Sequence, residues 1–374
     1  MQKPPQRFAG RQRKRKNFTF DSTIITLHIA LAHAKIMRRS EFEGDGMTFQ
    51  SSSRLYAAVS ALLWPAIFCA GLTGAYFAFE SNTHLLWFNV VYLSTVAVIA
   101  FFERLMPYEK TWLKRDGETF NDVAHTLLSK GGVQIAAAIG TSFPMAVATV
   151  AQPVLSYHSR FWPDQWPMIF QVVLGLVIAE FGLYMAHRLA HEHLSLWRFH
   201  ALHHSVERLW VINTGRFHII DSLFKIALSQ IPLYLLGAPL PVFLWIGAVT
   251  AFIGLLTHCN VDMRTGPLDW IFSTPQLHRW HHSKVLAEGN TNYGENLVIW
   301  DQLLGTFHNP ARPSSTDIGI TGKVAKGFLA QLAQPFSKKG RKEIIGKKPK
   351  ELILKEEQAT AARRGSNATI RKSG

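Results

Sequence analysis

The chain is 374 residues long, 48% hydrophobic, 17% charged and carries a net charge of +15; that length could hold two or three soluble domains, but so apolar a composition with so few charges argues instead for a membrane protein. The charge excess sits at the ends: Met1 to Lys16 has seven basic and no acidic residues, the tail from Phe336 onward has twelve basic and four acidic, and the intervening chain has 21 of each. Basic tails without a recognition motif fit the cytoplasmic bias of Lys and Arg and attraction to anionic lipid, so no nucleic-acid partner is expected.

Residues 1–50 are expected to form a basic, unstructured arm. Within it, "RQRKRK" followed by "IITLHIALAHA" imitates a secretory signal, but Asp21, His28 and His33 interrupt the apolar part, and a chain that crosses the membrane repeatedly needs no cleaved leader. Met47 opens "MTFQSSSRLYAAVSALLWPAIF", which reads as a natural start just before the first apolar run, so residues 1–46 are expected to be dispensable or not part of the native product.

The apolar residues that follow are clustered. Leu55 to Phe79 runs 25 residues without a charge, His84 to Phe102 19, Gly131 to Ser159 29 and Ile226 to Val261 36, and about 20 helical residues suffice to cross a bilayer core. Gln165 to His187 is a further candidate containing one carboxylate, Glu180. The last run includes "LLGAPLP" at Leu235 to Pro241, whose glycine and prolines break a helix. It reads as a hairpin that enters and leaves on one side, with a short first arm that either spans or is only re-entrant. The expected fold is an all-α polytopic bundle of four spans plus a helical hairpin over 51–335, carrying a histidine-rich helical cap and followed by a basic, unstructured tail over 336–374. With Arg38, Arg39 and Arg54 inside, the bias of Lys and Arg returns His187 and every later histidine cluster to the cytosol. Cys69 and Cys259 fall in apolar runs and are expected to pack as small buried thiols without a disulfide.

Six of the 17 histidines lie between His187 and Ser205. His187 and His191 are four apart at the end of an apolar helix and share a face with Glu180. His200, His203 and His204 stand at i, i+3 and i+4, and "LHRWHHS" repeats that spacing with His278, His281 and His282. A lone histidine on a helix is more often hydrogen-bonded or solvated than a ligand. Eight in three face-sharing blocks differ, because grouped imidazolium charges repel and unpaired neutral rings beside lipid are costly. Metal coordination answers both problems, neutral imidazole suits iron, zinc, copper or nickel, and eight donors exceed the needs of one ion, so two are expected. His258 in "THCN" and His218 in "GRFHIIDS" are further candidate ligands at the same ends of apolar segments. Glu180, Asn260, Asn292 and Asn296 are candidates for orienting ligands, as is His125 beside Asp122; His193 points away from its neighbours, and His28, His33, His84, His158 and His308 look incidental. Among the nearby aromatic residues Trp197, Phe199, Trp210, Trp280 and Trp300, Trp280 is the expected wall of the site because it lies inside a histidine block.

The ordered pattern of HRLAH, WRFHALHH, THCN and TPQLHRWHH, followed by NYGENLVIWDQLLGT, resembles the fatty acid hydroxylase and sterol desaturase superfamily, above all its bacterial membrane members, over roughly Glu103 to Phe336. The resemblance implies a membrane oxygenase with two histidine-ligated iron ions on the cytosolic side, using O2 and two electrons from a reductase chain. The implied box ligands are His187, His191, His200, His203, His204, His278, His281 and His282. His258 matches a further family histidine, and His218 matches one at which the proline that often follows is Ile219 here. The implied reaction is hydroxylation or desaturation of a C–H bond in a lipid. Because no electron-carrier domain is visible in the chain, a separate ferredoxin- or cytochrome-type donor is expected. A membrane zinc hydrolase is the alternative, and would want three ligands, an open water and a nearby base. No His-Glu-x-x-His is present. A non-catalytic metal- or lipid-binding protein would not need two matching three-histidine boxes.

Overall fold

The computed structural model describes residues 53–132, 135 and 161–345; the basic arm, most of the expected span from Gly131 to Ser159, His158 and the end of the tail lie outside the described residues. Among the described residues the chain is helical, with isolated bridges but no strand. In chain order the helices are α1 (Arg54–Phe79), α2 (His84–Leu105), α3 (Thr119–Ala124), α4 (Met168–Glu192), α5 (Leu194–His204), α6 (Ile219–Leu236), α7 (Leu240–His258), α8 (Pro275–His281), α9 (Leu286–Gly289), α10 (Ile299–Leu304), α11 (Phe328–Ala333) and α12 (Lys338–Ile345).

Five of these, α1, α2, α4, α6 and α7, are long and apolar enough to cross a membrane. At about 1.5 Å per residue even the shortest reaches close to the thickness of a hydrocarbon core. Their outward faces carry Leu62, Phe77, Leu85, Leu86, Leu93 and Phe101, all exposed, which suits lipid and not water. Cys69 is on such an exposed face, contrary to the expectation of a buried thiol, whereas Cys259 is buried. On the inward side Trp64, Phe68, Ile99, Phe252, Ile253 and Leu256 form one core between α1, α2 and α7. Helices α4 and α6 approach so closely that a Cβ on Gly182 would meet the Leu228 carbonyl oxygen at 2.0 Å.

The hairpin is α6 and α7. Gly237, at φ +82, adopts the left-handed conformation that ends α6, and its N–H is satisfied by the Leu233 and Tyr234 carbonyls. Pro239 caps the start of α7, with Pro241 in its first turn. The first arm begins at Ile219 and is an 18-residue helix, longer than the short arm the apolar run predicts. Asp221 and Lys225 end that run on paper, but both are buried at the inner end of the arm.

Loops tie the site-side ends of the spans together. One oxygen of buried Glu103, near the end of α2, accepts from the N–H groups of Val211 (2.8 Å) and Asn260 (3.0 Å). The Arg279 guanidinium on α8 donates to the Cys259 and Val261 carbonyls at 3.0 and 2.9 Å and lies over the Tyr108 ring. These bonds hold α8 directly beyond the end of α7. Helix α12 falls inside the tail expected to be unstructured; it is anchored by buried Ile344 and by Gly340, where a Cβ would strike the Gln334 carbonyl oxygen.

Candidate metal centre

The helical spacing of the histidine blocks translates directly into two convergent groups. His187, His191, His200, His204 and His281 each offer a ring nitrogen to one group, and His203, His258, His278 and His282 to the other, with the nitrogens of each group within 4.8 Å of one another. Helices α4, α5 and α8 build the first, and α5, α7 and α8, with His282 capping α8, build the second. The groups adjoin: the rings of His204 and His282 stack with centroids 4.5 Å apart.

Five rings are held from behind by an oxygen. Nδ1 faces the Tyr293 carbonyl in His187 (2.8 Å), Asn290 Oδ1 in His191 (3.0 Å), Asp221 Oδ2 in His200 (2.9 Å), Asn213 Oδ1 in His258 (3.0 Å) and the Thr291 carbonyl in His281 (2.7 Å). In each, Nδ1 carries the proton and donates it, so a neutral ring keeps its lone pair on Nε2. Those nitrogens face inward. Nε2 of His191 and of His200 each lie 3.0 Å from Nε2 of His204, which has at most one proton there and can satisfy only one of them. Nε2 of His278 is 2.9 Å from that of His258 and 3.1 Å from that of His282, which is also 3.2 Å from that of His203. Nε2 of His187 and His281 is buried with no hydrogen-bond partner, and so, on the ring edge away from these contacts, is Nδ1 of His203 and His282. Buried lone pairs aimed at one another are costly, and cations between them remove the conflict. All-imidazole donation backed by oxygen partners therefore fits a first-row metal in each group.

His218 is not brought to either group. It is the N-cap of α6, where Nδ1 accepts from the Ile220 N–H at 3.1 Å and Nε2 faces the Leu332 carbonyl at 3.0 Å, so both ring nitrogens are used. His125 is likewise engaged, by Ser129 Oγ and Gln331 Oε1, and burial pushes its pKa down to about 4. His193 is exposed. Of the polar candidates, Glu180 supports the site: its carboxyl oxygens accept from the N–H groups of Glu295 (2.6 Å) and Asn296 (3.1 Å) and from Asn296 Nδ2 (2.8 Å). That pins the loop whose Tyr293 carbonyl holds His187. Asn260 and Asn292 instead stitch loops, the first to the Glu109 backbone and the second to Leu277 and His308. Trp280 packs against His308 and Arg312 and not against the groups. The wall is Trp197, whose ring lies 5.2 Å from His191 and 5.5 Å from His204. Asp221, Asn213, Asn290 and the carbonyls of Thr291 and Tyr293 were not singled out from the sequence; only Asp221, three residues after His218, carried a readable signal.

Burial, reinforced by neighbouring imidazoles, holds the pKa values of His203, His204, His278, His281 and His282 well below the usual 6.5. Below about 6.5 the unfolded chain binds more protons than the folded one, so the stability these rings contribute is present above that pH and is lost as pH falls toward their folded values. Any bound metal competes with the same protons. A melting temperature flat above pH 7 and dropping steeply below about pH 6, with parallel metal release, is the expected profile; a flat profile to pH 4 contradicts it.

A sequence model of the fatty acid hydroxylase family matches residues 172–306, which contain all nine convergent histidines. An ornithine lipid hydroxylase of Rhizobium tropici is 91% identical over 331 residues, covering 88% of this chain and 100% of that protein. An alkylglycerol monooxygenase of Xenopus tropicalis is 33% identical over 150 residues, 39% of this chain and 31% of that protein. A probable Delta(7)-sterol 5(6)-desaturase of Neurospora crassa is 28% identical over 176 residues, 45% of this chain and 47% of that protein. No solved structure matches.

Proposed function

The chain belongs to the fatty acid hydroxylase family, a family of membrane oxygenases that act on lipids, and on that premise we propose that it hydroxylates an ornithine lipid at a di-iron centre. The single observation that carries the reading is the pair of adjoining groups of inward imidazole nitrogens, five of them fixed by an oxygen at Nδ1. His187, His191, His200, His204 and His281 would hold one iron, and His203, His258, His278 and His282 the other. Iron in such a set supplies the activation of O2 needed to oxidise an unactivated C–H bond.

The residues around it orient and enclose. Asp221, Asn213 and Asn290 keep His200, His258 and His191 in the tautomer that presents Nε2. Trp197 and Phe217 shield ring faces of the two groups from water, Phe217 stacking on His203 at 4.1 Å. A hydrolase would need a carboxylate free to take a proton from water. Asp221 and Glu180 are committed to His200 and to the 295–296 backbone, and Glu295 to Lys225. The charge of Arg104, Lys110, Lys114, Arg115 and Lys130 at the site-side ends of the spans supports a cytosolic site, where a separate ferredoxin- or cytochrome-type protein delivers electrons.

The test is lipid mass spectrometry of cells with and without the gene, grown under isotopically heavy O2. Ornithine lipid that gains one heavy oxygen only when the gene is present is the expected result. An unchanged lipid profile, or oxygen arriving from water, rejects the assignment.

A further inference from the structure

Against the second histidine group lies a cavity whose lining goes beyond what holding iron requires. Lys130, Phe217, Lys225 and Glu295 stand in it together with His203 and His258. The space left is about 30 Å³, and roughly 10–15 Å³ accommodates one water. That is room for a small polar group such as a carboxylate, not for a methylene chain passing through. Phe217 organises the walls: its ring stacks on His203 at 4.1 Å and 13°, while the ammonium groups of Lys225 and Lys130 lie 4.5 and 5.0 Å from its centroid. Two cations thus converge on a ring that touches the histidine group.

Their compensation is unequal. Lys225 pairs with Glu295 Oε1 at 2.5 Å. Lys130 has no ion pair or hydrogen bond among the described residues, and Asp221, the next carboxylate, is taken by His200 Nδ1. A ring face replaces only part of an ammonium's lost hydration, and two divalent ions held by imidazoles alone would add positive charge beside it. Among the described residues the one carboxylate lining the cavity, Glu295, is paired with Lys225, which leaves the Lys130 ammonium without a counter-ion there. We propose that Lys130 and Lys225 form an anion clamp that holds a carboxylate of the substrate headgroup beside His203 and His258, with Glu295 fixing Lys225. This rests on the reading of the substrate as an ornithine lipid, whose headgroup keeps its carboxylate when the amino acid is N-acylated. A phosphate-bearing lipid offers related chemistry, and the test separates the two.

Equilibrium binding is measured on the full-length, iron-loaded protein in nanodiscs without O2, so that affinity is read apart from turnover. The ligands are ornithine lipid, its carboxyl methyl ester, phosphatidic acid and inorganic phosphate. The wild type binds the acid at least about tenfold more tightly than the ester, as loss of a charge-assisted hydrogen bond predicts. Lys130→Gln removes most of that preference while keeping iron content and ester affinity, and Lys130→Arg restores it. A wild type indifferent to esterification overturns the clamp, and this comparison stands even if the variant does not fold. A Lys130→Gln protein with normal iron and full discrimination overturns it as well. If phosphatidic acid binds in a Lys130-dependent way and ornithine lipid does not bind, the clamp survives and the proposed substrate falls. If inorganic phosphate alone binds as well as any lipid, the site takes a soluble anion and the headgroup clamp is rejected.

Discussion

His203→Ala is expected to abolish hydroxylation and to halve the iron content while leaving the protein inserted in the membrane. His203 is one of four nitrogens in the second group, where its Nε2 lies 3.2 Å from that of His282. Removing a partner that merely orients a ligand costs 10–100-fold in metal affinity, so removing a ligand from a set of four should exceed ~100-fold by the same scale. The first group has no part in that loss, because its five donors come from His187, His191, His200, His204 and His281. His281→Ala is the complementary experiment: it should deplete the first ion and spare the second. Iron counted per chain in membranes of equal protein content reads both. Either variant retaining two ions and full turnover removes the assignment of these groups as a di-iron site. The fold should tolerate the change, since the spans bury their own core between α1, α2 and α7 at Trp64, Ile99 and Phe252, away from the imidazoles.

The histidine boxes were legible in the sequence because a helix converts i, i+3, i+4 spacing into a shared face with no help from tertiary structure. The same rule shows why Trp280 misleads: two residues after His278, it turns away from the face that His278, His281 and His282 share, and packs on Arg312. The partners behind the rings were not legible, for a different reason. His187 and His281 lean on the carbonyls of Tyr293 and Thr291, and every residue has a carbonyl, so no side chain marks the position. Asn213 reaches His258 from a 3-10 turn 45 residues earlier, a proximity that only packing creates. His218 stood at a membrane-proximal helix start, as a ligand might, yet an imidazole there also serves as an N-cap, and the free Ile220 N–H claimed it. Lys225 was hidden by its surroundings. A charge at the edge of an apolar run reads as the end of a span, and its burial against Glu295 appears only once α6 packs beside the 293–296 loop.

Glu180→Ala should be the most damaging substitution among residues that touch neither group. Its carboxyl group lies wholly buried in α4 and receives two backbone N–H groups and the Asn296 amide. Alanine leaves these donors without a partner in an interior that water does not reach, at roughly 1–3 kcal/mol for each orphaned group. A total loss of roughly 3–5 kcal/mol is expected, comparable to breaking a buried ion pair. The damage then spreads along the loop. Tyr293 loses its fixed carbonyl and with it the orientation of His187; Glu295 loses its seat and with it the grip on Lys225. Glu180→Gln separates these effects, because its carbonyl oxygen can still accept from the Glu295 and Asn296 N–H groups while its amide nitrogen opposes Asn296 Nδ2. The glutamine variant should keep iron and fold with reduced turnover, whereas the alanine variant should lose iron from the first group and exchange amide hydrogens rapidly over 293–296. Slow exchange there in Glu180→Ala, with iron retained, contradicts the view that this carboxyl group organises the site from a distance.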